Sequence, residues 1–371
     1  MSKLMYVTTR MVDPPQGGRA MLSRLHWRAL STLFGDRMVV HELDRAENSA
    51  GMAAALGGYL DGLTPATELV ILDRLAAEGI DRLYIDGSNF GRLAQAVRKR
   101  LPRVQIFTFF HNVEARFFLG AVRQTKSVRA IGVLLANYLA ERKAVRASHR
   151  LITLSRRDSR LLSRIYRRAG TDVLPMAMED KLPAAPVSTE PGQEQDGGGY
   201  ALFVGGAFYA NVAGILWFAR KVAPHVALPT LVVGRGLESF KDELERFPNV
   251  RVVGAVDDLA RLYLDAAVVI APIFDGSGMK TKVAEALMFG KRIIGTPEAF
   301  SGYEDIIDEA GWMCRTEAEF IAAIRHLEID QPPRFDATLR ARYESDYSRE
   351  AATARLFRIL ERRGDTCAGE C

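Results

Sequence analysis

Cysteine is scarce. The three in 371 residues (Cys314, Cys367 and Cys371) form neither a metal-ligand spacing nor a disulfide framework, and this scarcity fits a reducing cytoplasm. Long apolar runs are missing too. None approaches the ~18 residues that a membrane-spanning helix needs. The opening MSKLMYVTTR passes directly into a short strand-like run, and no secretory signal is read there. No Gly-x-Ser-x-Gly elbow and no dinucleotide fingerprint after the first strand-like run occurs, so neither motif anchors a function. GSGMKT lacks the glycine that precedes lysine in a phosphate loop. The paired acids of VDDL and YEDIID are explained by helix starts or a solvated face.

What is present is ordinary in bulk and uneven in placement. The chain is 48% hydrophobic and 26% charged, as a globular protein is. Its length exceeds what one core serves, so two domains are expected. The formal charge is +5, yet residues 121–170 alone carry thirteen Lys or Arg against Glu141 and Asp158. A solvated helical face explains that excess, and so does a surface that meets polyanions. VRAIGVLLANYLAERKAVRASHR interleaves an apolar stripe with basic residues. It suits a helix packed on its own core or one lying at a membrane surface. No nucleic-acid signature accompanies it, so a nucleic-acid partner is not expected.

In the first half, strand-like runs (LMYVTT, RMVVHEL, RLYID, RVQIFTFF, RLITLS and a short DVLPM) alternate with helix-length segments such as Met21–Phe34 and Phe90–Arg100. Such alternation predicts a mostly parallel sheet covered by helices. LPAAPVSTEPGQEQDGGGY then interrupts the pattern as a linker or exposed loop. The rhythm restarts with YALFVGG, TLVVGRG, VRVVG, AAVVIAPI and KRIIGT, and a charged segment from Ala337 to Arg363 reads as one or two amphipathic helices. The expected fold is α/β, with two doubly wound Rossmann-like domains facing across a cleft. Ligands of such sheets bind in loops after strands.

Four such loops stand out. In TTRMVDPPQGGRA, Gly17 and Gly18 precede a helix expected near Ala20. They are either a turn or a close backbone approach to an anion. TFFHNVEARFF ends a strand at His111, with Asn112 and Glu114 next. A lone histidine is commonly structural, whereas this cluster at a strand's carboxyl end could equally face a ligand. Gly205 and Gly206 follow the first strand of the second half, with Asn211 near the next helix start. In APIFDGSGMKTKVAEALMFG, Gly276 and Gly278 follow a strand, and Lys282 and Glu285 share a helix face three residues apart. A helix start with a lysine suits a diphosphate, and a carboxylate suits ribose hydroxyls. A surface ion pair fits the same residues.

Read in order, FVGGAFYANVAGILWFARKVAP, LVVGRG, PNVRVVGAVDDLARLYLDAAVVIAPIFDGSGMKTKVAEALMFGKRIIGT and FSGYE closely resemble the donor domain of GT-B glycosyltransferases. They resemble in particular the glycosyltransferase family 4 type of polysaccharide-assembly enzyme. The first half is similar more loosely, through PPQGGRAMLSRLHWRAL, FFHNVE, SHRLITLSRRDSRLL and DVLPMAME. The resemblance implies an acceptor-binding domain over 1–180, a linker over 181–199, a nucleotide-sugar donor domain over 200–340 and a C-terminal helix over 341–371 that crosses back to the first domain.

The resemblance also implies site roles. Glu285 would contact the donor ribose, Lys282 the diphosphate, and the loop Asp275, Gly276, Ser277, Gly278, Met279, Lys280 and Thr281 the sugar and phosphates. His111 would sit near the transferred sugar, with Gly17, Gly18, Asn112 and Glu114 on the acceptor side. Two departures stand out. Asp275 replaces the first glutamate of the family's Glu-x7-Glu motif, and its spacing to Glu285 is two residues longer. The usual Arg-Lys pair after the donor domain's first strand is absent, with Gly205, Gly206 and Asn211 among the donor-binding candidates in that region instead, and Lys282, Lys280 and Arg235 are the candidates to replace its phosphate contacts.

The implied activity is sugar transfer from a nucleoside diphosphate sugar to a hydroxyl of a lipid-linked glycan in polysaccharide biosynthesis, with a glycan or a polyprenyl-diphosphate-linked glycan as the expected acceptor. Retention of anomeric configuration, no cofactor and no metal are expected. So is a cytoplasmic location, peripheral on the inner membrane face. A nucleotide-sugar epimerase of the same fold and a non-catalytic nucleotide-sugar-binding subunit are the alternatives.

Overall fold

The computed structural model describes residues 2–13, 15, 17–44, 51–183 and 199–362. The chain divides into two compact units, Met1–Ala177 with Arg349–Cys371, and Met178–Ser348. The unit boundaries fall at 177/178 and 348/349, where the resemblance implied 180 and 340. Most of the expected linker falls outside the described residues.

The first unit holds β1 (Leu4–Thr9), β2 (Met38–Leu43), β3 (Arg82–Asp86), β4 (Gln105–Phe110), β5 (Arg150–Thr153) and β6 (Asp172–Val173), ordered β2-β1-β3-β4-β5-β6. Every pairing is parallel. A parallel sheet is covered on both faces, so its strands read as unbroken apolar runs. Leu4, Met5, Tyr6 and Val7 of β1 are all fully buried. The strand order reverses between β1 and β3, and their carboxyl ends border the crevice where such sheets take ligands.

The second unit holds β7 (Ala201–Val204), β8 (Thr230–Val233), β9 (Val250–Gly254), β10 (Val268–Ala271), β11 (Ile293–Gly295) and β12 (Gly311–Met313), ordered β12-β11-β10-β7-β8-β9. Its reversal point lies between β7 and β10, which pair in parallel through Val268–Ala201 and Val269–Leu202. β12, a three-residue Gly-Trp-Met strand, is missing from the sequence reading because so short a run carries no periodicity.

Two glycines set helix positions. A Cβ on Gly91 would lie 1.9 Å from the Ala140 carbonyl oxygen, so the helix Gly91–Arg100 presses directly on the helix Val128–Ala147. A Cβ on Gly214 would lie 1.8 Å from the Pro272 carbonyl oxygen. The helix Tyr209–Lys221, which follows β7, therefore rests on the start of the loop after β10. That contact couples the two loops at the second unit's reversal point.

One helix boundary differs from expectation. The first helix begins at Gly17, not near Ala20, so both glycines belong to its opening turn, with Gly17 at φ +81°. The charged C-terminal segment forms two helices, Ala337–Asp346 and Arg349–Glu361. The former stays with the second unit, where the Tyr343 hydroxyl donates to the Met178 carbonyl at 2.9 Å. The latter packs on the helix Gly17–Phe34 of the first unit.

Candidate functional site

The loops after β7 and β10 build the polar group of the second unit. After β10 the chain turns through Asp275, Gly276 (φ +135°), Ser277, Gly278 (φ +65°), buried Met279 and Lys280, then enters the helix Thr281–Met288. Both dihedrals lie where glycine is favoured. No side chain caps this helix, so its first N–H groups remain available to an anion.

The Lys282 ammonium donates to Asn211 Oδ1 at 3.1 Å and lies 4.4 Å from the centre of the Phe203 ring. Burial pushes this amine down to about 7, against the pull of Glu285 and with a smaller push from Lys280. A lysine in such surroundings is short of anionic company. Glu285, one turn on and also buried, accepts from the Tyr263 hydroxyl at 3.1 Å. Tyr263 in turn stacks on Phe289 at 4.7 Å, which fixes the carboxylate's height on the helix.

The remaining residues of this group have distinct placements. Asn211 also donates to the Gly206 carbonyl at 3.0 Å. A Cβ on Gly205 would lie 2.8 Å from Asn211 Nδ2, so the Gly-Gly turn and the asparagine are fitted to each other. Lys280 is occupied by the loop itself, donating to the Gly278 carbonyl and to Glu298 Oε1, both at 3.0 Å. Asp275 is exposed, accepting from the Tyr209 hydroxyl at 3.2 Å and from the Gly276 N–H at 2.7 Å. Arg235 is exposed after β8.

In the first unit, the carboxyl ends of β1, β3 and β4 converge on Asp86. Its Oδ2 accepts from the Thr8 hydroxyl at 2.8 Å, and its Oδ1 lies 2.9 Å from His111 Nε2 and 3.9 Å from His26 Nδ1. Burial opposes ionisation of this carboxyl, but His111 and His26 hold it well below the usual carboxylate range. Burial also pushes the His111 ring down, against the upward pull of Asp86. An ionised Asp86 accepting from a neutral His111 satisfies both. That assignment fixes the Nε2–H tautomer and makes Nδ1 an acceptor. This Nδ1 is buried and has no hydrogen-bond partner among the described residues.

Glu114 opens the helix Glu114–Thr125 and is pushed up to about 7, first by burial and then by Glu141. Fully buried Glu141 accepts from the Glu114 and Ala115 N–H groups at 3.0 and 3.2 Å, capping that helix from outside. Asn112 sits half-buried between His111 and this cap. Arg19, just after Gly17 and Gly18, lies 3.4 Å from Asn89 Oδ1 and 3.6 Å from Asp61 Oδ2.

Sequence reading thus named His111 without its partners. Asp86, Thr8 and His26 are the omissions, and an acid ending the apolar run RLYID was the available signal. Tyr263 and Glu298 carried no signal, since both act through tertiary contact alone. Among the described residues, no group of three or more His, Cys, Asp or Glu is placed to hold a metal ion. No described helix is long and apolar enough to cross a membrane.

Comparison with known proteins places this geometry. Residues 198–330, most of the second unit, match the family Glycosyl transferases group 1. No curated protein matches the chain. Among solved structures, sucrose-phosphate synthase of Thermosynechococcus elongatus superposes with a TM-score of 0.73 at 16% identity, over 97% of this chain and 98% of that one. HepE of Anabaena in complex with UDP-glucose gives 0.66 at 14% identity, over 97% and 99%. The lipopolysaccharide outer core galactosyltransferase WaaB gives 0.64 at 12% identity, over 96% and 99%. At these identities the superpositions speak for the fold, and the family match speaks for the second unit. The chain has the fold of the GT-B glycosyltransferases, and its residues 198–330 match the group 1 glycosyl transferases.

Proposed function

We propose that the protein transfers a sugar from a nucleoside diphosphate sugar, bound on the second unit, to a hydroxyl of a lipid-linked glycan acceptor bound by the first. The observation that carries this reading is the buried Lys282 ammonium. It is pushed to about 7 and sits one turn before Glu285, at the uncapped helix start after β10. A diphosphate placed on the free N–H groups supplies the negative charge that Lys282 lacks, and Glu285 accepts from ribose hydroxyls. HepE binds UDP-glucose, which supports a donor of this class.

In the step itself, the bond from the anomeric carbon to the phosphate oxygen breaks, and its electron pair goes to the leaving nucleoside diphosphate. The acceptor hydroxyl oxygen bonds the same carbon, and its proton passes to the leaving phosphate on the same face, so configuration is retained. Lys282 and the helix N–H groups stabilise the charge that develops on the phosphate. His111, oriented by Asp86, offers its Nδ1 to a sugar hydroxyl and acts in positioning. No metal takes part in this scheme, so transfer should persist in EDTA, and strong inhibition would refute that element.

An acceptor at a membrane surface is supported by two features of the first unit. The helix Val128–Ala147 exposes Val128 (85%), Ile131 and Leu135. Near the other end of the same helix, a cavity of about 480 Å³ is lined by Arg98, Lys99, Arg142, Lys143 and Arg146. Apolar side chains and cations carried on one helix suit a peripheral contact with anionic lipid. Flotation with phosphatidylglycerol vesicles and not with phosphatidylcholine vesicles is the expected result, and equal binding to both would overturn the contact. The donor is tested by a thermal-shift screen of nucleoside diphosphates and their sugars, in which the true donor raises the melting temperature.

A further inference from the structure

β10 and β11 are parallel neighbours, so the loops that follow them leave the same carboxyl edge of the second sheet. The segment after β11 sends three side chains onto the loop after β10. The Thr296 hydroxyl donates to the Ile273 carbonyl. The Glu298 carboxylate accepts from the Lys280 ammonium at 3.0 Å, and both side chains are largely buried. The Tyr303 hydroxyl donates to the Lys280 carbonyl at 2.9 Å, and its buried ring packs on Tyr347 at 5.3 Å. Lys280 is therefore held at both ends, by Glu298 at the ammonium and by Tyr303 at the backbone.

The lysine side chain folds back over the turn that precedes it. Its ammonium donates to the Gly278 carbonyl at 3.0 Å and to the Ser277 carbonyl at 3.5 Å. A Cβ on Gly276 would lie 3.5 Å from Lys280 Cε. An ammonium has three protons to donate, and Glu298, Gly278 and Ser277 take them. Its charge is answered by a carboxylate in surroundings where water screens little. The turn it gathers has Gly276 and Gly278 at positive φ, and glycine loses more freedom on ordering than any other residue. A turn of this kind keeps one shape only when something outside it holds it there.

We propose that Glu298, acting through Lys280, is a positioning residue for the donor. It fixes the Gly276–Gly278 turn and the start of the helix Thr281–Met288, and Lys280 is a tie within the loop and not a phosphate ligand. The proposal rests on the reading that this loop takes a nucleoside diphosphate sugar. It departs from the phosphate contact that the resemblance implied for Lys280.

The test is a calorimetric titration of UDP into the full chain as wild type, E298Q, K280M, K280M/E298Q and Y303F. Removing an acid beside a diphosphate site strengthens binding by charge alone, so the sign of the change separates the two roles. E298Q should weaken UDP affinity roughly tenfold, as the loss of a charged hydrogen bond allows. K280M should weaken it by a similar factor, and the double variant should bind no worse than K280M, because both changes remove one tie. Y303F keeps the buried ring and should weaken binding severalfold from the other end of the tie. Without ligand, hydrogen–deuterium exchange of peptides covering residues 273–281 should quicken equally in E298Q, K280M and the double variant, while peptides of the first unit are unchanged. Unchanged or tighter UDP binding by E298Q overturns the proposal, and so does a double variant weakened by the product of the two single effects. A wild type that binds no nucleoside diphosphate, with loop exchange responding as stated, would sink the donor reading and with it the positioning role, leaving Glu298 a structural tie.

Discussion

Replacing Lys282 by methionine should stabilise the free protein while destroying donor binding. The amine's ordinary value is 10.5, and burial brings it to about 7. At ~1.4 kcal/mol per pH unit, that gap amounts to about 5 kcal/mol. Between the two values the unfolded chain holds a proton that the folded chain has released. Stability contributed by this group therefore rises with pH, from its lowest below about 7 to its full value near 10.5. From pH 7 to pH 9 the wild type should gain about 2–3 kcal/mol relative to K282M, whose methionine does not titrate. Urea unfolding of both proteins at the two pH values, without ligand, reads this difference directly. Donor binding should show the reverse trend. A diphosphate needs the charged amine, so UDP-glucose affinity should weaken above pH 7 by up to tenfold per unit in the wild type. K282M should bind too weakly to measure. Parallel pH profiles of stability in the two proteins would refute the account of Lys282 as a buried amine awaiting an anion.

Other perturbations separate the remaining parts. E285Q loses a charged acceptor for the ribose, worth about 1.5–3 kcal/mol, so donor affinity should fall roughly tenfold to a hundredfold in a calorimetric titration with little change in melting temperature. D86N should lower turnover more than it alters donor affinity, because the amide cannot hold His111 in the same tautomer; an unchanged rate in steady-state kinetics would separate Asp86 from the site. G214A places a methyl against the Pro272 carbonyl, and the resulting strain should cost about 1–3 kcal/mol in urea unfolding while weakening donor binding by shifting the loop after β10.

The fold was legible because parallel strands buried on both faces leave unbroken apolar runs, as VVIA of β10 and LMYVTT of β1 do. β12 was not, since three residues cannot show a period. The donor loop was legible from its glycines, Lys282 and Glu285, all local in sequence. Its internal wiring was not. Nothing in GSGMK shows that Lys280 turns back to Glu298 and leaves Lys282 to Asn211. The same limit hid Asp86 from His111, which lie 25 residues apart and meet only because β3 and β4 are neighbours. The thirteen basic residues of 121–170 were visible as a charge excess. Their sorting into cavities depended on which helix faces the sheet leaves open.

The central claim is that Lys282 and Glu285 hold a nucleotide-sugar donor for transfer. It is tested most directly by nucleoside diphosphate release from nucleotide sugars, measured with and without membranes supplying lipid-linked glycans, in the wild type, K282A and E285A. Acceptor-dependent release by the wild type, abolished in both variants while their circular dichroism is unchanged, is the predicted result. Full release by both variants would contradict the claim.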